Sequence, residues 1–209
     1  MLQIKKVDPS QKDVLNAIVE LHIETFKGFF LSSMHKGFLR TLYKSFAEHK
    51  SSELLVADEE GEPIGFIAYS WDTTGVYRYM LWRHFFPFVW YSFLSFIKRP
   101  CIFGKLFGAL KMPSQSKRDE HYCKVFSLGV RSDRQGLGVG TALFDELKQK
   151  VDFSKYSYIT LETDAKDNET ANTFYKNNGM TLSSVYVTPE GRVMNKYHYR
   201  VRPHEAPVS

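Results

Sequence analysis

The glycine loop at residues 136–140 constrains this chain more than any other feature. Gly136, Gly138 and Gly140 run directly into the helical pattern "TALFDELKQK". Glycine is a poor residue with which to begin a helix, but it leaves backbone amides accessible. A strand, a glycine loop and a helix N-terminus in this order form an anion site, because the first-turn amides and the helix dipole favour negative charge. The sequence therefore predicts that the loop binds a phosphate or pyrophosphate.

The spacing excludes two common phosphate-binding motifs. A dinucleotide fingerprint needs G-x-G-x-x-G, and a P-loop needs Gly-Lys-Ser/Thr after its glycines. Here the glycines read G-x-G-x-G and no lysine follows. The loop contains instead Gln135-x-x-Gly138-x-Gly140, five residues after Val130 ends a predicted strand.

Periodicity and turn residues predict a mixed α/β fold. The expected order is strand, two helices, hairpin, an irregular segment, then strand, helix, strand, helix and a closing hairpin. This order predicts helices on both faces of a sheet. The 209 residues suit one domain. We place it at 1–203, with an insertion at about 72–120 and a flexible tail at 204–209.

Two motifs together resemble one known family. "GVRSDRQGLGVGTALF" is similar to the acetyl-CoA signature of the GCN5-related N-acetyltransferases (GNAT), Gln/Arg-x-x-Gly-x-Gly/Ala after a strand. About 30 residues later, "NETANTFYKNNGM" is similar to the family's helix N-x-x-A-x-x-F-Y-x-x-x-G-F, with Met180 replacing the final Phe. The resemblance covers 120–200 well, covers 1–70 only in pattern, and says little about 72–120.

The resemblance implies a fold and a donor site. It implies a twisted, mostly antiparallel sheet of about seven strands, in which the strand ending at Val130 splays from the strand at 158–163. The pantetheine arm of acetyl-CoA would lie in that gap and the pyrophosphate on the loop amides. The implied donor-binding residues are Leu128, Val130, Gln135, Gly136, Leu137, Gly138, Val139, Gly140, Thr141, Asn168, Phe174 and Tyr175.

Acyl transfer to an amine needs a proton donor for the leaving thiolate and a route for the amine proton. The resemblance assigns the donor role to Tyr175, although an ordinary packed aromatic is the alternative. Asn168 either contacts the pantetheine or caps its helix, and Phe174 also fits a core position. For the base we keep Glu162 and His22 as catalytic candidates. Glu120, His121 and Glu24 stay open beside them, and a buried, hydrogen-bonded histidine is the plainer interpretation of His22.

Residues 76–112 are aromatic and basic and allow several interpretations. Extra helices that complete the core are favoured over a pocket for a nucleotide-linked amino sugar, which aromatic rings and cations would suit. Membrane contact and homodimerisation through an exposed apolar patch are the other readings. The stretch "ELHIETFKGFFLSSMHKGFLRTLY" resembles acetyltransferases of bacterial surface-polysaccharide assembly, which also points to an amino-sugar acceptor.

The net charge and the cysteine spacing limit the kinds of partner and metal site that we expect. The formal charge of +5 is too small for a committed nucleic-acid binder. Cys101 and Cys123 have neither ligand nor disulfide spacing, so we expect free thiols, no metal and a cytoplasmic location. The longest apolar run, 85–97, is too short to span a bilayer.

The sequence thus predicts an acetyl-CoA-dependent N-acyltransferase acting on a small-molecule amine. Alternatives are a protein or peptide N-acetyltransferase, a non-catalytic acyl-CoA binder, and a membrane-surface protein on the same fold.

Overall fold

The computed structural model describes residues 1–98 and 121–201. The strands are β1 (Leu2–Lys6), β2 (Ser52–Glu59), β3 (Glu62–Ser70), β4 (Tyr122–Val130), β5 (Tyr158–Asp164), β6 (Thr181–Val187) and β7 (Val193–Tyr199). The helices are α1 (Lys12–Thr25), α2 (Lys36–Glu48), α3 (Thr73–Arg83), α4 (Phe85–Lys98), α5 (Val139–Lys150) and α6 (Glu169–Asn177). Among the described residues, no helix is long and apolar enough to cross a membrane.

The strands form one seven-stranded sheet in the order β1-β2-β3-β4-β5-β7-β6. Every neighbouring pair is antiparallel except β4 and β5, which are parallel. The predicted mixed α/β architecture with a mostly antiparallel sheet is therefore confirmed.

The sheet opens at its centre between β4 and β5. These strands pair only where Tyr122–Lys124 meet Tyr158–Thr160, although both strands continue beyond that point. We call the opening the β4–β5 wedge. One residue of β4, Phe126, is extra relative to β3, since Ala68 pairs with Ser127 and Tyr69 with Val125. This bulge bends β4 at the point where the wedge begins.

Gly129 of β4 is a position of close backbone approach. A Cβ at Gly129 would lie 2.8 Å from the ring of Phe66 and 3.2 Å from Thr25 Oγ1. Any side chain at this position would push β4 away from α1.

Two apolar cores lie on opposite faces of the sheet. On the α5–α6 face, Leu143, Phe144 and Leu147 pack against Val125 and Leu161. On the α1–α2 face, the core includes the buried side chains of Leu15, Ile18, Leu39, Phe46 and Phe66. The sheet thus separates two apolar cores, and the β4–β5 wedge lies between its two central strands.

The first part of the insertion is a helix pair packed against α2. The rings of Phe38 and Phe88 meet edge to face at 4.9 Å, and the backbone N–H of His35 donates to Ser95 Oγ at 2.8 Å. The expectation that extra helices complete the core holds for this inner side, whereas the outer side stays exposed. Residues 99–120, with Cys101 and Glu120, and the predicted tail 204–209 lie outside the described residues.

Candidate functional site

Glycine is required at the three positions of the loop for different physical reasons. Gly136 and Gly138 adopt φ values of +77° and +83°, in the left-handed region that favours glycine, and nothing lies within 4 Å of a Cβ added at either position. A Cβ at Gly140 would instead lie 3.1 Å from the ring of Phe174. The first two glycines shape the exposed loop, and the third lets α6 pack against the start of α5.

The start of α5 presents backbone donors to the outside. Helix α5 begins at Val139, and its N-cap residue is Gly138, which has no side chain to cap the helix. The first hydrogen bond of the helix runs from the Ala142 N–H to the Gly138 carbonyl. Within the part of the chain that the structure describes, the amides of residues 135–141 have no acceptor. Residues 135–138 are also exposed. The loop is thus a concentrated set of free N–H groups at the positive end of a helix dipole.

The edge of β4 continues this donor surface into the wedge. The Arg131 N–H donates to the Ile64 carbonyl at 2.8 Å, on the β3 side. Because hydrogen-bonded pairs alternate along an antiparallel ladder, the backbone groups of Leu128 and Val130 point away from β3 and into the wedge. The Val130 carbonyl accepts from Gln135 Nε2 at 3.1 Å, on that side. The predicted donor-binding residues of β4 and the loop therefore lie along one continuous path.

Helix α6 carries Tyr175 to the α5–α6 face of the wedge. The helix ends in a Schellman motif, in which the N–H of Met180 donates to the Tyr175 carbonyl and the N–H of Gly179 to the Lys176 carbonyl. The Tyr175 ring is 5.3 Å from that of Phe174 and 5.9 Å from that of Tyr197. Burial raises the pKa of Tyr175 to about 12, so its hydroxyl keeps its proton throughout the physiological range.

Two asparagines fix α6 to the sheet. Asn168 stands at the N-cap position, but its side chain donates to Thr163 Oγ1 at 2.7 Å and does not cap the helix. Asn172 donates to the carbonyls of Asp164 and Asn168 and accepts from Asn195 and the Tyr197 hydroxyl. Sequence reasoning missed Asn172, whose signal is an amide on the buried side of a short helix.

Glu162 lies on the other face of the sheet from Tyr175. Alternation along β5 places Ile159 and Leu161 in the α5–α6 core, so Glu162 points to the α1–α2 face. Its carboxylate accepts from Lys124 Nζ at 3.0 Å. Burial is the main cause that raises the pKa of Tyr186 to about 12, and the Glu162 carboxylate is the second. Burial is also the main cause that raises the pKa of Tyr77. The two strands that diverge at the wedge thus each contribute a charged group beside its closed end.

His22 is packed inside the α1–α2 face. Its Nδ1 lies 2.6 Å from the Tyr43 hydroxyl, and only 3% of the residue is exposed. Among the described residues Nε2 has no partner. Burial lowers the pKa of His22 to about 4, so the ring is neutral at pH 7. The structure does not bring His22 together with Tyr175, because the sheet lies between them.

Among the described residues, the two remaining base candidates are His121 and Glu24, which are held in other contacts at opposite ends of β4. His121 precedes β4 at the end where the two strands still pair, and its carbonyl accepts from the Ser157 N–H. Glu24 accepts from both the N–H and the hydroxyl of Ser132 and so ties α1 to the loop. These hydrogen bonds lower the pKa of Glu24. Its contacts make Glu24 a support of the loop conformation.

A cavity of about 640 Å³ lies elsewhere, between the end of α2 and α3, where it is lined by residues such as His49, Arg78 and Trp82. It shares no lining residue with the wedge. Across residues 1–98 and 121–201, no group of His, Cys, Asp or Glu is placed to hold a metal ion.

A protein-family model and several solved structures are similar to this chain. The model of the acetyltransferase (GNAT) family matches residues 15–180. No curated protein matches the chain. Solved structures with a similar fold include aminoglycoside 6'-acetyltransferase type Ii, at 15% identity and a TM-score of 0.62 over 96% of this chain and 98% of that one.

Two further solved structures are similar over nearly the whole chain. The ribosomal-protein-S18-alanine N-acetyltransferase from Escherichia coli has 12% identity and a TM-score of 0.57 over 100% of this chain and 99% of that one. NAA60 from Arabidopsis thaliana, solved in complex with acetyl-CoA, has 14% identity and a TM-score of 0.56 over 96% and 99%. At these identities the likeness is one of fold.

Proposed function

Because this chain belongs to the GNAT family of acetyl-CoA-dependent N-acetyltransferases, we propose that it transfers an acetyl group across the β4–β5 wedge to a primary amine of a small molecule. The observation that carries the proposal is the wedge itself. Two central strands pair over three residues and then separate beside a loop whose amides find no acceptor in the described part of the chain.

The donor would bind along the path from the loop to the wedge. Amides of residues 135–141 suit the pyrophosphate, and the backbone groups of Leu128 and Val130 can pair with the amides of the pantetheine arm, as a strand would. Phe174 packs against Gly140. Asn168 donates a hydrogen bond to Thr163 on β5, the strand that borders the wedge. Together these groups would hold the thioester in line for attack.

Tyr175 would assist the leaving thiolate. A thiol has an ordinary pKa of about 8.5, well below the value of about 12 for Tyr175. Full proton transfer from the tyrosine is therefore uphill. We propose that the hydroxyl acts by donating a hydrogen bond as negative charge develops on sulfur, which stabilises the transition state.

Glu162 would receive the amine proton on the opposite face. An ammonium has no lone pair, so the acceptor must lose a proton before or during attack. With Glu162 on one face and the Tyr175 hydroxyl on the other, the amine approaches from one side while the thiolate leaves on the other. A water molecule can complete the relay where direct contact is not made. We keep Glu162 ahead of His22, whose ring is buried.

We place the acceptor on the Glu162 side of the sheet, and one contact on that side favours a compact molecule over an extended peptide. The guanidinium of Arg192, at the start of β7, lies 5.2 Å from the ring of Phe29 in the α1–α2 connection. This contact bridges two segments that would have to part for a chain to pass between them. An amino sugar, including a nucleotide-linked one, fits such an end, while protein acetylation is the alternative.

A thiol-release assay on the full-length protein tests the proposal. Acetyl-CoA is supplied with amino sugars, polyamines, amino acids, aminoglycosides and peptides in separate reactions. We expect thiol release with at least one small amine and calorimetric binding of coenzyme A. Turnover restricted to peptides would overturn the small-molecule acceptor, and the lack of any coenzyme binding would overturn the donor site.

A further inference from the structure

The outer side of the helix pair carries a row of exposed apolar side chains, which we call the α3–α4 apolar face. Its members are Leu81, Trp82, Phe85, Phe86, Val89, Trp90, Phe93 and Ile97. Trp82 is 84% exposed and Phe86 is 82% exposed. A contiguous apolar patch of this kind marks an interaction site in a soluble domain.

The face does not result from loose packing of the two helices. On their inner side, the ring of Tyr91 stacks on His35 at 5.1 Å, and Ser95 is buried against the start of α2. His84 Nε2 is 2.6 Å from a carboxylate oxygen of Glu48. The helices are therefore held by their inner side, and the outer side remains available for a partner.

The charge around the face identifies the chemistry of that partner. Residues 73–98, which form the two helices, contain no Asp or Glu, whereas they contain the basic residues Arg78, Arg83 and Lys98. Arg78 and Arg83 are exposed on α3, and Lys98 ends α4. An apolar face bordered by cations is complementary to an anionic surface with an apolar interior.

This pattern favours a bilayer over a second copy of the chain. A two-fold interface would bring identical cations together with no acidic residue in the segment to pair them. Tryptophan and other aromatic residues are the side chains that favour the interface between headgroups and acyl chains. Helix α4, with 14 residues, is about 21 Å long, so it would lie in the plane of the interface and not cross the bilayer.

We propose that the α3–α4 apolar face docks the protein onto an anionic lipid surface, with its aromatic side chains inserted among the headgroups and the side chains of Arg78 and Arg83 on the lipid phosphates.

Docking would also bring the Glu162 side of the sheet, where we place the acceptor, near the lipid, a consequence that rests on the proposed function. The Tyr77 ring is 5.7 Å from that of Phe126, the bulge residue of β4, and Tyr77 precedes Leu81 by one turn of α3. An amine carried at the membrane surface would therefore approach the side of the sheet on which Glu162 lies.

Vesicle co-sedimentation of the full-length protein tests the docking. Vesicles of phosphatidylcholine alone are compared with vesicles that also contain phosphatidylglycerol, at low and high salt. We expect pelleting with the anionic vesicles, weaker pelleting at high salt, and a blue shift of tryptophan emission, since Trp82 and Trp90 lie on the face. Failure to pellet with anionic vesicles at low salt would overturn the proposal.

Matched variants locate the contact. Trp82→Gln with Phe86→Gln should lower vesicle partitioning at least about tenfold, whereas Leu182→Gln with Val185→Gln, which alters exposed apolar residues of β6, should not. Equal partitioning of both double variants would contradict the assignment, as would a dimer in sedimentation that only the first variant disrupts. Thiol release with a soluble amine should stay unchanged in the first variant, so loss of docking is distinguishable from loss of the proposed activity.

Discussion

Tyr175 combines a buried ring with a proton that is hard to remove. Substitution to Phe keeps the packing against Phe174 and Tyr197 and deletes only the hydroxyl. We expect the Tyr175→Phe variant to lose at least about a hundredfold in kcat while its calorimetric Kd for coenzyme A is unchanged. Steady-state thiol release measures the first quantity. Tyr199→Phe, a tyrosine of β7 packed on the same face, should keep full activity. Unchanged kcat in Tyr175→Phe would remove the proposed role of the hydroxyl as a hydrogen-bond donor to the leaving sulfur.

His22 makes the free energy of unfolding depend on pH. Its pKa of about 4 in the folded protein lies below the ordinary value of 6.5, so the unfolded state binds more protons between these values. Stability is therefore full above pH 6.5 and is lost as the pH falls towards 4, by about 3 kcal/mol.

Urea unfolding at a series of pH values measures this loss. The His22→Gln variant should have a flatter pH dependence, and the matched variant of the exposed His121, His121→Gln, should keep the slope of the original chain. An identical slope in His22→Gln would show that other groups cause the effect.

The glycine loop acts as an element whose conformation matters more than its side chains. Gly138 needs positive φ, so an alanine there strains the backbone by about 1 kcal/mol and tilts the amides of α5. We expect Gly138→Ala to weaken coenzyme A binding about five- to tenfold, as measured by calorimetry. Gly61→Ala introduces the same strain at φ +90° in the β2–β3 turn and should leave the Kd unchanged. Equal losses of affinity in both variants would argue against a local role.

The sequence predicts the secondary-structure elements better than it predicts the register and packing contacts between them. Alternation and helical spacing are enough to identify the seven strands, α5 and α6. The bulge at Phe126 was missed, because a bulge depends on the register between two strands and not on one residue. The packing of Gly140 on Phe174 was also missed, since the loop pattern alone suggested that all three glycines face the ligand.

Helix α4 shows a second limit of prediction from the sequence. Its sequence, FFPFVWYSFLSFIK, is apolar on nearly every side, so periodicity cannot indicate which side packs. Only the fold reveals that Phe88 and Ser95 turn inward and Phe86 and Trp90 outward. Glu162 and His22 are both base candidates in the sequence and both lie on the α1–α2 side of the sheet. Only the fold shows that Glu162 lies beside the wedge whereas His22 is buried in the core.

At the scale of the whole molecule, the sheet divides the proposed reaction between two faces. The donor path and Tyr175 belong to the α5–α6 side, and Glu162 with Lys124 belongs to the α1–α2 side. We therefore expect Glu162→Gln to lower kcat/KM for the amine by about a hundredfold without changing the Kd for coenzyme A. Glu169→Gln, which alters an exposed acid in the first turn of α6, should change neither quantity. A comparable loss of coenzyme affinity in Glu162→Gln would contradict this division.

The hydrogen bond between Gln135 and the Val130 carbonyl has a thermodynamic consequence for donor recognition. An incoming pantetheine amide that pairs with this carbonyl displaces an existing partner, so one bond is exchanged for another and little net enthalpy is gained. The arm would then contribute alignment more than affinity. Tight association would come from the diphosphate, and a truncated thioester lacking the nucleotide half would dissociate quickly even though its reactive carbon fits the gap.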